Sequence, residues 1–302
     1  MPPQPEIRRI RNEWAVVAGQ SISLLGTNIA VLAIPFFVLK LTGKASDLGL
    51  AMASETLPVL LFGFIAGVAI DRMSIRRALI AADLGRAVAF GLLALAALGE
   101  APSVLIVFAV AFLVGSLGVL FDSGLQAWLP ALLPEHRLVG LNGVLQFAQV
   151  AAMTAGPPVA VLLVVLGGGT GDLGDVVDPG VFALAFAVDG ATFLVSALFI
   201  LLPVEVRPRP APARDPWWPS FTAGLRYLWS EQRLRIATAA AAVWNLTFVP
   251  MEALLILFAT ESLGIPERNV GWYFGAQALV GASGVVLAPR LARRFGLGRT
   301  FV

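Results

Sequence analysis

The side chains of this 302-residue chain with the most chemical reach are carboxylates placed where water is scarce. Glu55, Asp122, Asp189 and Glu252 lie within or at the edge of long apolar runs. A lone ionisable group deep in a bilayer costs about 2.5 to 3.5 kcal/mol on insertion scales, so it marks proton transfer or ligand contact by default. Asp189, Thr192 and Ser196 follow a helical spacing that makes one polar stripe, and Asn245, Phe248 and Glu252 do the same beside Trp244 and Pro250. Gln20, Ser23 and Thr27 share a face, with Asn28 adjoining. Asp83 and Arg86 are three apart and can pair, and burying the pair costs less than burying either charge alone. The plain alternative for each uncharged polar residue is an interhelical hydrogen bond worth under about 1 kcal/mol.

Other chemistry finds little support. There is no Cys and one His, His136, so disulfides, thiolate metal sites and multi-His metal clusters are excluded. An intramembrane serine enzyme needs His near Ser, whereas His136 falls in a polar break, and the D-x-x-D-G-x-x-A-R pattern of membrane phosphotransferases is missing. Asp172, Asp175 and Asp178 are evenly spaced but lack the D-x-D-x-D-G pattern and terminal Glu of a calcium loop, and read as an acidic loop. No cofactor or metal is expected, and a net charge of +2 makes nucleic acid a poor partner.

The elements that must position these residues are helices crossing a lipid bilayer. Hydrophobic residues make up 58% of the chain and charged ones 13%, with a mean hydropathy of +0.85, far more apolar than a soluble domain. A spanning helix needs about 20 apolar residues. Eight blocks qualify, near Trp14 to Leu39, Leu48 to Ile70, Ala78 to Leu98, Val104 to Leu125, Leu141 to Leu166, Val181 to Leu202, Ile236 to Phe258 and Val270 to Leu287. They are continuously apolar rather than alternating, which argues against barrel strands. The basic start, MPPQPEIRRIRNEW, resembles a signal peptide, but the following run is long enough to span and ends without a small-residue cleavage site. Of the 21 Lys and Arg, only Lys40, Lys44 and Arg268 fall on one side of the alternating topology. The positive-inside rule then predicts a multi-pass plasma-membrane protein with both termini cytoplasmic.

The longest break opens with the Pro-rich PVEVRPRPAPARDPWWP and continues as FTAGLRYLWSEQRLR, where Phe221, Leu225, Leu228 and Trp229 share a face, as in an interfacial amphipathic helix. Three regions follow: a six-helix bundle over 1–202, a cytoplasmic linker with that helix over 203–235, and a partial second bundle over 236–302. The segment GVAIDRMSIRR after the second block carries Gly67, Asp71, Arg72, Arg76 and Arg77, and GVVLAPRLARR follows the eighth. The shift that superposes Gly67 on Gly284 also superposes Arg76 and Arg77 on Arg293 and Arg294, which implies two halves with one duplicated cytoplasmic loop.

That loop resembles the G-x-x-x-D-[RK]-x-x-[RK]-[RK] motif of the major facilitator superfamily. GQSISLLGTNIAVLAIPFFVLKLTG, IDRMSIRRALIAADLGRA, QAWLPALLPEHRLVGLNGVLQ and VDGATFLVSALFI are similar to its enterobactin-exporter and macrolide-efflux branch. The resemblance implies an all-α polytopic fold with a complete N-terminal six-helix bundle and a second bundle cut after the eighth of twelve helices. The motif residues imply a cytoplasmic gating latch, and the first, fourth and seventh blocks imply a cavity, which favours Gln20, Asn28, Asp122, Trp244, Asn245 and Glu252 as substrate or proton contacts. The second loop copy has Ala288 in place of Asp71, and of the exporter motif in the fifth block only Gly156 and Pro157 remain. The implied function is proton-coupled efflux of a small amphipathic molecule such as a drug or siderophore. Lysolipid flipping, or a non-transporting receptor or assembly role, is the alternative.

Overall fold

A computed structural model describes residues 6–99, 103–132, 135–166, 179–202 and 217–258, with isolated positions Ser262, Val280, Leu287 and Arg294. The block near Val270 to Leu287 therefore falls almost wholly outside the described residues. Among the described residues there is no strand. The chain divides into two compact units, Met1–Pro212 and Ala213–Val302.

The first unit holds α1 (Glu6–Thr42), α2 (Ala45–Arg72), α3 (Ile75–Leu98), α4 (Val104–Leu132), α5 (Glu135–Leu166) and α6 (Pro179–Leu201). Several of these outrun their apolar blocks: α1 starts eight residues before Trp14, and α5 starts at Glu135 rather than Leu141. Hydropathy locates the part of a helix that lipid can cover, whereas backbone hydrogen bonding continues until a breaker stops it. Such a breaker is Gly43, whose φ of +65° ends α1 in the left-handed region that glycine adopts at little cost. The helices α3, α4 up to Pro130, and α6 are long and apolar enough to cross a membrane, and α2 is a fourth if its two straight pieces, set at 64° to each other, form one span.

Polarity in this unit is turned inside out relative to a water-soluble bundle. Leu84, Val88, Leu92, Leu95 and Leu98 make an outward stripe along α3, with Leu95 68% exposed, while Asp83 on the same helix is 0% exposed. Lipid accepts such leucines, and the interior accepts charge only where partners exist. Helix α3 packs on α6 and α4, α1 on α6 and α5, and α2 on α4. Two apolar clusters result. One gathers Phe37, Phe90, Leu93, Phe182, Phe186 and Phe193. The other gathers Val16, Leu79, Phe121, Trp128, Leu141 and Ile200.

Small residues set the helix spacing, as expected where lipid leaves packing as the main force between helices. A Cβ on Gly156 of α5 would lie 2.8 Å from the carbonyl oxygen of Asn28 on α1, and one on Gly190 of α6 would lie 3.3 Å from the carbonyl oxygen of Ala87 on α3. The bundle is also tied at one end. Arg76, in the first turn of α3, donates from Nε to the carbonyl oxygen of Ile200 at 3.0 Å, and from Nη2 to those of Leu201 at 2.7 Å and Leu202 at 3.3 Å. These are carbonyls that a helix C-terminus leaves unpaired. Arg137 Nη1 on α5 donates to Glu13 Oε1 on α1 at 2.9 Å near the same end.

The second unit contains α7 (Trp217–Ser230) and α8 (Gln232–Leu257), which pack together. The amphipathic segment is thus a separate helix, with Trp218 stacked on Phe221 at 5.6 Å. The helix that carries the seventh apolar block begins at Gln232, four residues before Ile236, because nothing in QRLR breaks it.

Two stability outcomes follow from these contacts. Gly156→Val should lower the unfolding free energy of the detergent-solubilised protein by about 1 to 3 kcal/mol, the usual range for overpacking, because the obstacles are the Cβ and backbone of Asn28, which no rotamer change moves aside; thermal unfolding measures it. Arg76→Ala should cost about 1 kcal/mol and speed amide exchange at Leu202, whose N–H bonds to Leu198 in the last turn of α6, while Arg76→Lys retains part of both.

Candidate functional site

Asp83, Arg86 and Asp189, three of the charged residues singled out in the sequence, lie close together in one layer inside the first unit. Arg86 Nη2 donates to Asp83 Oδ1, and the Arg86 guanidinium lies over the rings of Phe121 at 4.5 Å and Phe193 at 4.2 Å. Those rings belong to the two different apolar clusters, so the charge sits at their junction. Contact with an aromatic face returns part of the hydration energy a buried cation loses. Asp189 on α6 is 0% exposed and receives the Thr192 hydroxyl at its Oδ1 at 3.2 Å, while the same hydroxyl bonds its backbone carbonyl at 2.7 Å. Buried Ser196 lies within reach of Asp83. Arg86 is within electrostatic reach of Asp122 and Asp189 as well as Asp83, and Glu55 is within reach of Asp189. Gly26 on α1 faces this group, and a Cβ there would lie 2.6 Å from Asp189 Oδ1 and 2.8 Å from Thr192 Cγ2. The stripe read from the i, i+3, i+7 spacing of α6 thus points into the bundle.

Next to this layer is a cavity of about 470 Å³ between α1, α4 and α5. Gln20, Asp122, Gln126, Asn142, Gln146 and Gln149 supply its polar wall, and four leucines its apolar one. The Gln20 Oε1 atom is buried without a hydrogen-bond partner. Carboxamides both donate and accept, so this wall can satisfy hydroxyl, ether, carbonyl or amine groups, with Asp122 as its charged group. Gln126, Asn142, Gln146 and Gln149 were not among the expected site residues. Their signal was present in the sequence: Asp122 and Gln126 are i, i+4 on α4, and Asn142, Gln146 and Gln149 are i, i+4, i+7 on α5.

Other expected residues lie elsewhere. Asn28 is on α1 but turns its Nδ2 to the Leu24 carbonyl at 2.7 Å and packs against Gly156, because an amide in a helix can bond its own preceding turn. Gly67, Asp71, Arg72 and Arg77 are exposed at the junction of α2 and α3, and Arg76 reaches the end of α6. Trp244 is an exposed residue of α8 in the second unit. The side chains of Asn245 and Glu252 lie outside the described ones, so their share in a site is not part of the geometry. Among the described residues no group of three or more metal-ligating side chains converges.

The sequence matches the profile of the Major Facilitator Superfamily over residues 16–302. Macrolide efflux protein A of Streptococcus pyogenes is 34% identical over 151 residues, which is 50% of this chain and 37% of that protein. The multidrug efflux pump Tap of Mycobacterium tuberculosis is 28% identical over 280 residues, 89% of this chain and 64% of Tap. Tap of Mycolicibacterium fortuitum is 26% identical over 282 residues, 89% of this chain and 65% of that protein. The chain thus spans less than two thirds of the length of these relatives. Its family match covers almost the whole chain, its described residues form an all-helical fold with several spans, and its interior holds a polar cavity beside buried charge. This multi-pass membrane protein belongs to the Major Facilitator Superfamily.

Proposed function

We propose that the protein exports small amphipathic molecules of the drug class by alternating access, in exchange for protons, from the cytoplasmic side on which both of its termini lie. The observation that carries this reading is the cavity between α1, α4 and α5, whose amide wall, apolar wall and Asp122 suit a molecule with one polar face and one positive group. The similarity to macrolide and multidrug efflux proteins supports the same substrate class.

Each part of the structure has a task in such a cycle. The cavity holds substrate near the midplane, where transporters of this architecture place their sites. The carboxylates Glu55, Asp122, Asp189 and Glu252 are the groups that take up and release protons. The loop residues Gly67, Asp71, Arg72 and Arg77 act at the cytoplasmic latch, while Arg76 keeps the end of α6 fixed to α3. Regions 1–202, 203–235 and 236–302 serve as first bundle, linker and part of a second bundle.

Inverted membrane vesicles containing the full-length protein should accumulate erythromycin when the lumen is made acidic and lose that accumulation when nigericin collapses the gradient. Accumulation unaffected by the gradient would remove proton exchange from the proposal, and selective movement of lysolipid would favour flipping. Asp122→Asn should reduce uptake of this cationic probe by roughly tenfold, equivalent to about 1.4 kcal/mol, with little change in thermal stability because the side chain opens onto the cavity. Glu252→Gln should weaken uptake as well.

A further inference from the structure

The buried layer has more negative groups than positive ones. Asp83 and Asp189 are both 0% exposed; Arg86 is paired with Asp83 and lies within electrostatic reach of Asp189. Each carboxylate is bonded through Oδ1, Asp83 by Arg86 and Asp189 by Thr192; Ser196 lies within reach of Asp83, and each Oδ2 is buried with no donor in hydrogen-bonding geometry. Among the described residues the surrounding helices bring no further cation to the layer. Helix α4 contributes Asp122 and α2 contributes Glu55, both negative when ionised. Between Glu13 and Lys40, α1 has no titratable residue, and neither has α5 between Arg137 and Leu166. Lys40 sits over Phe182, on a ring of the other end of the aromatic cluster.

An uncompensated charge in a dry interior is relieved by a proton rather than tolerated. Two carboxylates that share one counter-ion then titrate as a unit and not as separate groups. We propose that Asp83 and Asp189 form one proton-binding site that holds a single proton, with Arg86 as counter-ion of whichever carboxylate is ionised. In the arrangement seen here Arg86 is bonded to Asp83, so the proton belongs on Asp189, where Oδ2 is available to carry it.

The geometry makes this site sensitive to its proton. Gly26 of α1, where a methyl group would overlap the Asp189 and Thr192 side chains, and Gly190 of α6, where one would fit only tightly, bring three helices together around it. Loss of the proton puts a second negative charge against α1 and α3, and Arg86, stacked between Phe121 and Phe193, is the cation that can swing to meet it. Asp122 at the cavity is within electrostatic reach of Arg86, so a cation bound there acts on the same carboxylate as Arg86 does. The use of the site for coupling rests on the exchange reading proposed above; its occupancy by one proton does not.

Infrared spectroscopy of the purified full-length protein in detergent at neutral pH tests the proton count through the C=O stretch of protonated carboxyl groups. Asp83→Asn and Asp189→Asn should each remove the intensity of one carboxyl, because one carboxylate is left to balance one guanidinium. Arg86→Gln should instead add the intensity of one carboxyl. A band unchanged by either Asn variant overturns the site, and a band lost only in Asp189→Asn overturns the sharing. If a variant fails to fold, Thr192→Val keeps both carboxylates and should shift the frequency of one carboxyl band; an unshifted band overturns the assignment to Asp189. The expected infrared pattern together with gradient-independent efflux would leave the proton site standing and remove the exchange reading instead.

Discussion

The guanidinium of Arg86 is held in a dry layer between two aromatic clusters, and much of the first unit is arranged to keep it there. Removing an ion from water carries a penalty of several kcal/mol after relaxation, and at 8% exposure little solvent reaches Arg86 to offset it. Compensation comes from three helices at once: Asp83 from α3, the Phe121 ring from α4, and the Phe193 ring from α6. Those helices have to meet closely for all of these groups to act on one cation. Gly190 allows α3 and α6 that approach, and Gly26 brings α1 against Asp189 from the other side.

The charged layer and the polar cavity are different environments that share a wall. Inside the layer Asp83 and Asp189 are fully buried and one oxygen of each lacks a partner. In the cavity, amides from α1, α4 and α5 leave room for a ligand of moderate size. Asp122 lines the cavity yet lies within electrostatic reach of Arg86, so charge in one compartment is felt in the other. Low dielectric makes that coupling stronger than the same separation would allow in water.

At one end of the bundle the restraints are of another kind. Arg76 closes the carbonyls at the end of α6, and Glu13 and Arg137 join α1 to α5, with Val16, Leu79, Leu141 and Ile200 packed beneath them. The basic residues that the sequence assigns to topology therefore differ in their work. Arg76 is committed to the backbone of a neighbouring helix, while Arg77 is exposed at the surface.

The sequence by itself determined that helices cross a membrane, where most of them run, which family motifs they carry and that Asp189 falls within an apolar run. These are local properties: block length, composition and a period of about 3.6 residues are set by near neighbours in the chain. It also placed Asp189, Thr192 and Ser196 on one stripe and paired Asp83 with Arg86. Only the tertiary structure decided that the α3 pair and the α6 stripe form one layer, that Arg86 stacks on Phe121 and Phe193, that Asn28 bonds its own helix, and that the amides of α4 and α5 share a cavity with Gln20. Periodicity fixes the face of a helix on which a residue lies but not the helix that face meets, because that depends on packing between segments more than a hundred residues apart, as for Arg76 and Leu201.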